Sequence, residues 1–160
     1  MYQIRAAQEA DISDIMKIYA CARAFMAKTG NPNQWGTAHP SRDILLADIY
    51  AGNLYAVELE NEIHGVFAFI PGEDPTYRYI EDGNWHADMP YAAIHRVASD
   101  GSGGIFASIL KFCGSRSKYL RIDTHHDNKV MQHVLEKNGF QRCGIIYLEN
   151  GDPRIAYDRT

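Results

Sequence analysis

The spacing of apolar residues divides the chain into eleven elements. Alternating or continuous apolar segments predict strands, and apolar positions three or four residues apart predict helices. The predicted strands are 2–5, 54–59, 62–70, 91–99, 119–123, 140–147 and 154–157. Helices are predicted after Asp11, after Ser41, after the glycine turn 100–104, and after Asp127 or Asn128. The order βααβββαβαββ predicts an α/β fold: a single mixed, mostly antiparallel sheet of about seven strands with helices on both faces.

Two segments of this pattern carry predictions about packing. The first helix is expected to bury one stripe, formed by Ile12, Ile15, Met16, Tyr19, Phe25 and Met26. The segment 71–90 shows no regular pattern beyond one helical turn near residues 76–81, which is unusual in a compact domain. Its aromatic content is too high for a solvated loop, so the segment is predicted to be an ordered wall or lid.

The stretch Tyr91–Cys113 reads as a buried strand, a glycine turn and a helix. Its turn is Asp100-Gly101-Ser102-Gly103-Gly104, followed by apolar residues at helical spacing. Such a junction directs free backbone N–H groups and the positive end of a helix dipole at one point, which suits a phosphate or pyrophosphate. A plain strand-to-helix connection explains the same glycines, and the local sequence leaves both interpretations open.

Composition and charge indicate which partners and which cellular compartment to expect. The 160 residues are 46% hydrophobic and carry a formal net charge of −4, which gives no electrostatic reason to expect nucleic acid or an anionic membrane as partner. Neither a signal-peptide core nor a membrane-length apolar segment is present. Cys21, Cys113 and Cys143 are predicted to be buried thiols of a cytoplasmic protein, and nothing local supports a Cys/His nucleophile.

The segment His125–Tyr147 contains the pattern DN-xx-M-xxx-LEKNGF-xxxG. It resembles the second half of the coenzyme A site in the GCN5-related N-acetyltransferases (GNAT), with Asn128, Gly139 and Phe140 at matching positions. The resemblance implies a GNAT-like acyl-CoA N-acyltransferase fold and a single N-acetyltransferase domain over residues 1–160. It also implies acetyl-CoA as co-substrate and, as acceptor, a primary amine of a small molecule, an amino acid or a peptide N-terminus.

The same resemblance assigns the cofactor site to the glycine turn and to the start of the last helix. The residues it selects are Val97, Ala98, Ser99, Gly101, Ser102, Gly103, Gly104, Ile105, Asn128 and Met131. Two registers of the family's loop pattern fit, so the loop is assigned and no single glycine. With Gly104 as anchor, Gly101 replaces the family's Gln or Arg, and the bulky Phe106 replaces a small residue. Leu135 occupies the place where the family often has a tyrosine acid, so the general acid is unassigned.

Amine acetylation needs a base, because an alkyl amine is mostly protonated at pH 7. His95, on the central strand, is the predicted base, and no carboxylate is expected beside it; a hydrogen-bonded core histidine is the alternative interpretation. Glu81 in the long loop is the second candidate. A backbone N–H of the central strand is expected to stabilise the oxyanion. The predicted acceptor-site residues are Trp35, Tyr79, Trp85 and His125.

The segment Asp123-Thr124-His125-His126-Asp127 suggests a metal site, but adjacent histidines at a turn are expected to diverge. No metal is therefore predicted. Two other function classes stay open: a non-catalytic acetyl-CoA sensor, motivated by Leu135 and Phe106, and a phosphate-binding nucleotide domain. The sequence leaves the oligomeric state open, a homodimer included.

Overall fold

The computed structural model of the protein describes residues 1–160, which form one seven-stranded sheet in the order β1-β2-β3-β4-β5-β7-β6. The strands are β1 Gln3–Ala6, β2 Leu54–Leu59, β3 Glu62–Pro71, β4 Ala92–Ser99, β5 Leu120–Thr124, β6 Gln141–Tyr147 and β7 Pro153–Arg159. The helices are α1 Ile12–Lys28, α2 Arg42–Tyr50, α3 Ile105–Arg116 and α4 Lys129–Lys137. Only β4 and β5 pair in parallel. The predicted element order and mixed sheet are confirmed.

Apolar residues on both faces of the sheet are buried. On one face the core includes Ile109, Leu110 and Cys113 of α3 and Leu135 of α4. On the other face, α1 and α2 pack over the first strands through Ile15, Tyr19 and Leu45, among other residues. Tyr77, from the segment between β3 and β4, covers the remaining part of that face. None of the helices combines the length and hydrophobicity needed to cross a bilayer.

The buried stripe of α1 differs from the prediction. It consists of Ile15, Ile18, Tyr19 and Ala22, whereas 52% of Phe25 is exposed. These four positions are spaced three and four residues apart and form the face of α1 that contacts the sheet, and Phe25 lies beyond that face. The carboxylate of Asp11 does not cap α1; it accepts a hydrogen bond from the Gln8 N–H and pairs with Arg5. Cys21, predicted to be buried, is exposed.

The segment between β3 and β4 is an ordered wall, as its aromatic content indicated. Asp74 begins a short 3-10 turn, Pro75–Tyr77, by accepting a hydrogen bond from the Thr76 N–H at 2.9 Å. Farther along, Glu81 and Ile145 exchange two backbone hydrogen bonds of 2.8 Å. The Tyr77 side chain is 1% exposed and anchors the segment to the sheet.

Two irregularities of β4 open the centre of the sheet. Pairing between β4 and β5 stops at Ile94 and Ile122, although both strands continue, so a gap forms between them. On its other edge, β4 has a bulge in which Arg96 and Val97 stand opposite one β3 residue. Arg96 has a φ of 52°, a strained backbone for a residue with a side chain. Two hydrogen bonds to Asp48 of α2, at 2.7 and 2.9 Å, hold its guanidinium in place.

Candidate active site

A cavity of about 800 Å³ lies where β4 and β5 separate. Neighbouring residues of a strand face opposite sides of a sheet. Ile94 and His95 of β4 nevertheless both line the cavity, and so do Asp123 and Thr124 of β5. The cavity therefore passes through the sheet and connects its two faces. Its walls also include Gln34, Trp35, Asp74, Asn128, Met131 and Arg154.

His95 has a carboxylate partner that the sequence did not suggest. Its Nε2 lies 2.8 Å from Oδ2 of Asp74. Burial alone would raise the pKa of Asp74, but hydrogen bonds from His95 and Thr76 outweigh burial and lower that pKa to about 2. An ionised carboxylate only accepts hydrogen bonds, so Nε2 carries the proton. In the neutral imidazole, Nδ1 is then left with a free lone pair.

The free Nδ1 of His95 lies near a second carboxylate. It is 3.8 Å from Oδ2 of Asp123, and this same oxygen accepts a hydrogen bond of 2.7 Å from the Tyr77 hydroxyl. Burial and the Asp123 charge raise the pKa of Tyr77 well above its usual value, so Tyr77 stays a neutral donor that fixes Asp123. His95 and Asp123 together therefore present a basic nitrogen and a fixed negative charge to the cavity.

The glycine turn at the end of β4 presents unpaired amides. The backbone N–H groups of residues 103–107 donate to no acceptor in the protein, and the first hydrogen bond of α3 runs from Ser108 N–H to the Gly104 carbonyl. Gly104 has a φ of 80°, a conformation that glycine adopts readily. The side chain of Phe106, which stands where the family has a small residue, packs against the core of the sheet. The turn therefore has the free N–H groups of an anion cradle.

The start of α4 forms the opposite wall. Asn128 caps the helix by accepting from the Met131 N–H at 3.0 Å, and its amide nitrogen donates to Oε1 of Gln34 at 2.9 Å. Val97, Asn128 and Met131, three of the predicted cofactor residues, line the cavity, whereas the glycine turn lies beyond it at the end of β4. Leu135 is fully buried.

Comparisons with known proteins agree with this architecture. Neither the scan against family models nor the search of curated proteins gave a match. Among solved structures, a GNAT-family acetyltransferase from Streptococcus agalactiae 2603 is 32% identical with a TM-score of 0.87, over 99% of this chain and 94% of that one. The chain belongs to the GNAT family of acetyltransferases.

Two more distant structures share the GNAT fold. A GNAT-family acetyltransferase from Bacillus cereus ATCC 10987 is 22% identical, with a TM-score of 0.65 over 100% of this chain and 97% of that one. The protein yncA from Salmonella typhimurium, solved with its cofactor acetyl-CoA, is 16% identical, with a TM-score of 0.62 over 99% and 93%. At these identities the likeness concerns the fold alone.

Three side chains predicted for the site of this GNAT protein, all from the segment between β3 and β4, lie outside the cavity. Glu81 accepts hydrogen bonds from Tyr79 at 2.8 Å and from Tyr147, and neither Glu81 nor Tyr79 lines the cavity. Trp85 lines a separate recess, donates to the Tyr77 carbonyl at 2.9 Å and stacks on the Arg121 guanidinium at 4.1 Å. Aromatic content predicted that the segment is ordered, but not which of its residues face the cavity.

His125 is 8% exposed and does not line the cavity. Its Nδ1 accepts a hydrogen bond from the Asp127 N–H at 3.0 Å, and its ring stacks on His126 with centroids 4.3 Å apart. The expectation that the two histidines diverge was wrong, because the turn folds back at Asp127. Burial, followed by the Arg154 charge, lowers the pKa of His125. The absence of a metal remains a prediction.

A second cluster brings Cys143, His86 and Asp158 together outside the cavity. The Cys143 sulfur is 3.3 Å from Nδ1 of His86, which is 2.6 Å from Asp158. Burial and the Asp158 hydrogen bond raise the pKa of the Cys143 thiol, which is the opposite of nucleophile activation. The Asp158 carboxylate also accepts from the Tyr119 hydroxyl, so the cluster is a hydrogen-bonded network in which Cys143 and Asp158 are buried and His86 is exposed.

The cavity residues that were missed at the sequence level include the charged and hydroxyl side chains of Asp74, Asp123, Thr124 and Arg154. Asp123 and Thr124 could have been found, because they end the strand that runs parallel to β4, and such strand ends commonly form binding sites. Asp74 sits in an irregular segment, and Arg154 looks like an exposed residue after a hairpin turn. For these two residues no local pattern indicates the cavity.

Proposed function

We propose that residues 1–160 form one acetyl-CoA-dependent N-acetyltransferase domain that acetylates a primary amine. The observation that carries this proposal is the cavity through the sheet. His95, with an unprotonated Nδ1, lines it on one face. From there β4 leads directly to the free amides of the glycine turn. A base in the middle of β4 and an anion cradle just beyond its last residue match the needs of amine acetylation by a pyrophosphate-bearing donor.

The residues present fit acetyl-CoA. The unpaired N–H groups of residues 103–107 and the dipole of the twelve-residue α3 favour a pyrophosphate. Val97 and Met131 offer apolar walls between this cradle and His95. Acetyl-CoA supplies an activated acyl carbonyl with a thiolate leaving group. The acetyl-CoA complex of yncA, which has the same fold, supports the assignment.

The side chains around the cavity account for the proton transfers. An incoming alkylammonium is attracted by Asp123 and gives its proton to Nδ1 of His95, while Asp74 stabilises the resulting imidazolium. The free amine then attacks the thioester carbonyl carbon; the C–N bond forms, the C–S bond breaks, and the second proton that the amine nitrogen must lose passes to the departing sulfur, which leaves as the thiol. A main-chain N–H at the Arg96–Val97 bulge is the proposed oxyanion donor.

The thiolate leaving group needs little acid assistance, because its pKa is close to that of cysteine, about 8.5. Leu135 offers no proton. The Thr124 hydroxyl oxygen is buried without a hydrogen-bond partner, and its residue lines the cavity. We assign this hydroxyl as a hydrogen-bond donor to the departing sulfur; it makes no net proton transfer, because the sulfur receives the proton that the attacking nitrogen loses.

Turnover tests the proposal. The protein is incubated with acetyl-CoA and a panel of amines, amino acids and peptides, and thiol release and product mass are measured. Acetylated product supports the transferase. Acetyl-CoA binding without product from any amine would favour the sensor, which Leu135 motivates. Displacement of acetyl-CoA by ATP would favour a nucleotide-binding domain.

Gly103→Asp should weaken acetyl-CoA binding at least tenfold, about 1.4 kcal/mol. A side chain at Gly103 meets no atom within 4 Å and Gly103 lacks the positive φ of Gly104, so the variant should fold. The new carboxylate would repel a pyrophosphate at the cradle. Isothermal titration calorimetry measures the effect, and Gly103→Asn is the uncharged control. Equal affinities of the Asp and Asn variants would remove the turn from the cofactor site.

The two tryptophans should respond differently to alanine. Trp35 lines the cavity and packs on Tyr19 at 5.6 Å between ring centroids, so Trp35→Ala should raise the acceptor KM at least about fivefold, and that of acetyl-CoA less. Trp85→Ala should instead lower the free energy of unfolding by about 3 kcal/mol with little change in either KM. Steady-state kinetics and urea unfolding measure both effects. A larger acceptor KM for Trp85→Ala than for Trp35→Ala would reverse the assignment.

A further inference from the structure

Arg154 is a buried cation in the wall of the cavity with no carboxylate in contact. It is 6% exposed, and it has no ion pair within 4.0 Å, unlike Arg5, Arg78 and Arg96. Removing a charge from water is costly unless a partner compensates it. The position therefore carries a free-energy cost that no carboxylate of the protein offsets by direct contact.

The hydrogen bonds of Arg154 leave most of its donors unused. Nη1 donates to the Pro153 carbonyl at 2.9 Å and Nη2 to the Gln34 carbonyl at 3.3 Å. A guanidinium has five N–H groups, so about three have no acceptor in the protein. Gln34 is itself held by Asn31 and Asn128, whose amides both donate to its Oε1 at 2.9 Å. The guanidinium is thus fixed in direction and only partly satisfied.

The register of the sheet places Arg154 on the same face as the proposed base. Asp123 of β5 pairs with Ala156 of β7, so Arg154, two residues earlier, shares their face. Ala93 pairs with Arg121, and His95 and Asp123 each follow by two residues on their strands. Paired strands are about 4.8 Å apart, and β5 and β7 stay paired through Thr124 and Ile155, whereas β4 and β5 separate after Ile94 and Ile122. The face therefore presents, from β4 to β7, a base, a carboxylate and a cation.

The charges around Arg154 do not neutralise it. Burial lowers the pKa of Arg154, and Asp123 and Asp152 oppose this effect through space without reaching contact distance. Asp123 is already engaged by the Tyr77 hydroxyl at 2.7 Å. An anion from outside the protein is the partner that would complete the guanidinium, and a carboxylate fits its fork of donors.

We propose that the acetyl acceptor is a free amino acid, whose carboxylate binds Arg154 while its amine lies between Asp123 and His95. The inference rests on the proposed acetyltransferase function. It selects among the acceptor classes that function allows: a simple amine lacks the carboxylate, and in a peptide the α-carboxylate next to the reacting amine is an amide. Arg154 is then a specificity-determining residue with no part in the proton transfers.

The test compares acids with their carboxamides. Initial rates are measured with acetyl-CoA and the proteinogenic amino acids, β-alanine and 4-aminobutanoate, each beside its carboxamide, for wild type, Arg154→Met and Arg154→Lys. Arg142→Met, on the exposed edge of β6, is the matched control. For each protein, the rate with the acid is divided by the rate with its carboxamide, and this ratio is compared between wild type and variant. Differences in amine basicity between acid and amide cancel in the comparison.

For the preferred amino acid, the wild type should favour the acid over the amide at least tenfold in kcat/KM, about 1.4 kcal/mol. Arg154→Met should reduce this preference to within about threefold, Arg154→Lys should retain part of it, and Arg142→Met should retain all of it. The acetyl-CoA Kd should change less than about twofold in every variant. If the wild type acetylates amines without preferring acids, the inference is wrong, but the proposed acetyltransferase function stands. A tenfold weaker acetyl-CoA affinity in Arg154→Met also overturns it, since Arg154 would then serve the cofactor.

Ligand binding to the wild type distinguishes a failure of the carboxylate site from a failure of the proposed acetyltransferase function. It also tests the inference if the Arg154 variants do not fold. Thermal shifts are measured for wild type with N-acetylated amino acids and with their carboxamides, which needs neither turnover nor a variant. A shift with the acids and none with the amides supports the carboxylate site even where no amine is acetylated. Equal shifts, or none with any acid, contradict it.

Discussion

His95→Gln should lower kcat at least about 100-fold, the usual contribution of a general base. Glutamine keeps much of the volume and can still donate a hydrogen bond to Asp74, but it cannot take the proton of the amine. The acidic limb of the pH profile should flatten, because the residue whose deprotonation produces it is gone. The acetyl-CoA Kd should stay within about twofold, because the cradle lies beyond Ser99, the last residue of β4, and His95 lies in the middle of that strand.

His133→Gln is the matched control, since His133 is exposed on α4 and does not line the cavity. Stopped-flow single-turnover rates separate chemistry from product release. A His95→Gln enzyme that keeps its rate and its acidic limb would make His95 a structural histidine. Asp123, 3.8 Å from His95 Nδ1, would then be the next candidate base, ahead of Glu81, which does not line the cavity.

The fold was predictable because hydrophobic periodicity reports directly on which residues face a neighbour. β3 was predicted at 62–70 and lies at Glu62–Pro71, and β4 was predicted at 91–99 and lies at Ala92–Ser99. The glycine turn and Asn128 were predictable for a related reason: caps and turns use few residue types, so they stand out locally. The position of His95 in the cavity follows from its place on the central strand.

The partners of His95 could not be predicted in this way. Asp74 is 21 residues away in an irregular segment, where no repeat determines which side chains face the sheet. Trp85 and Tyr79 lie in that same segment, and neither lines the cavity to which they were predicted to belong. Arg154 follows a hairpin turn, where exposure is the usual outcome for an arginine. Its burial depends on how β7 aligns with β5, which is a property of the assembled sheet.

Asp74→Asn should lower kcat/KM roughly 10- to 100-fold, although Asp74 touches no substrate in the proposed mechanism. The ionised carboxylate accepts the Nε2 proton of His95 and so leaves Nδ1 free. An asparagine can turn its NH₂ group to Nε2, which moves the imidazole proton to Nδ1 and blocks the transfer. Asparagine can still accept the Thr76 N–H bond that begins the 3-10 turn, so the local fold should persist.

Two readouts distinguish positioning of His95 from a merely structural role. Removing a negative charge 2.8 Å from the imidazole disfavours the imidazolium, so the acidic limb of kcat/KM should move to lower pH, and Asp74→Glu should restore part of the rate. The second readout is acid unfolding. Because the pKa of Asp74 is lowered to about 2, its contribution to stability is complete above about pH 4 and is lost as the pH falls towards 2. Asp74→Asn should therefore lose less stability than wild type across that interval. If both the acidic limb and the acid unfolding curve of Asp74→Asn match those of wild type, Asp74 serves only to begin the turn, and His95 Nε2 must be fixed by another group.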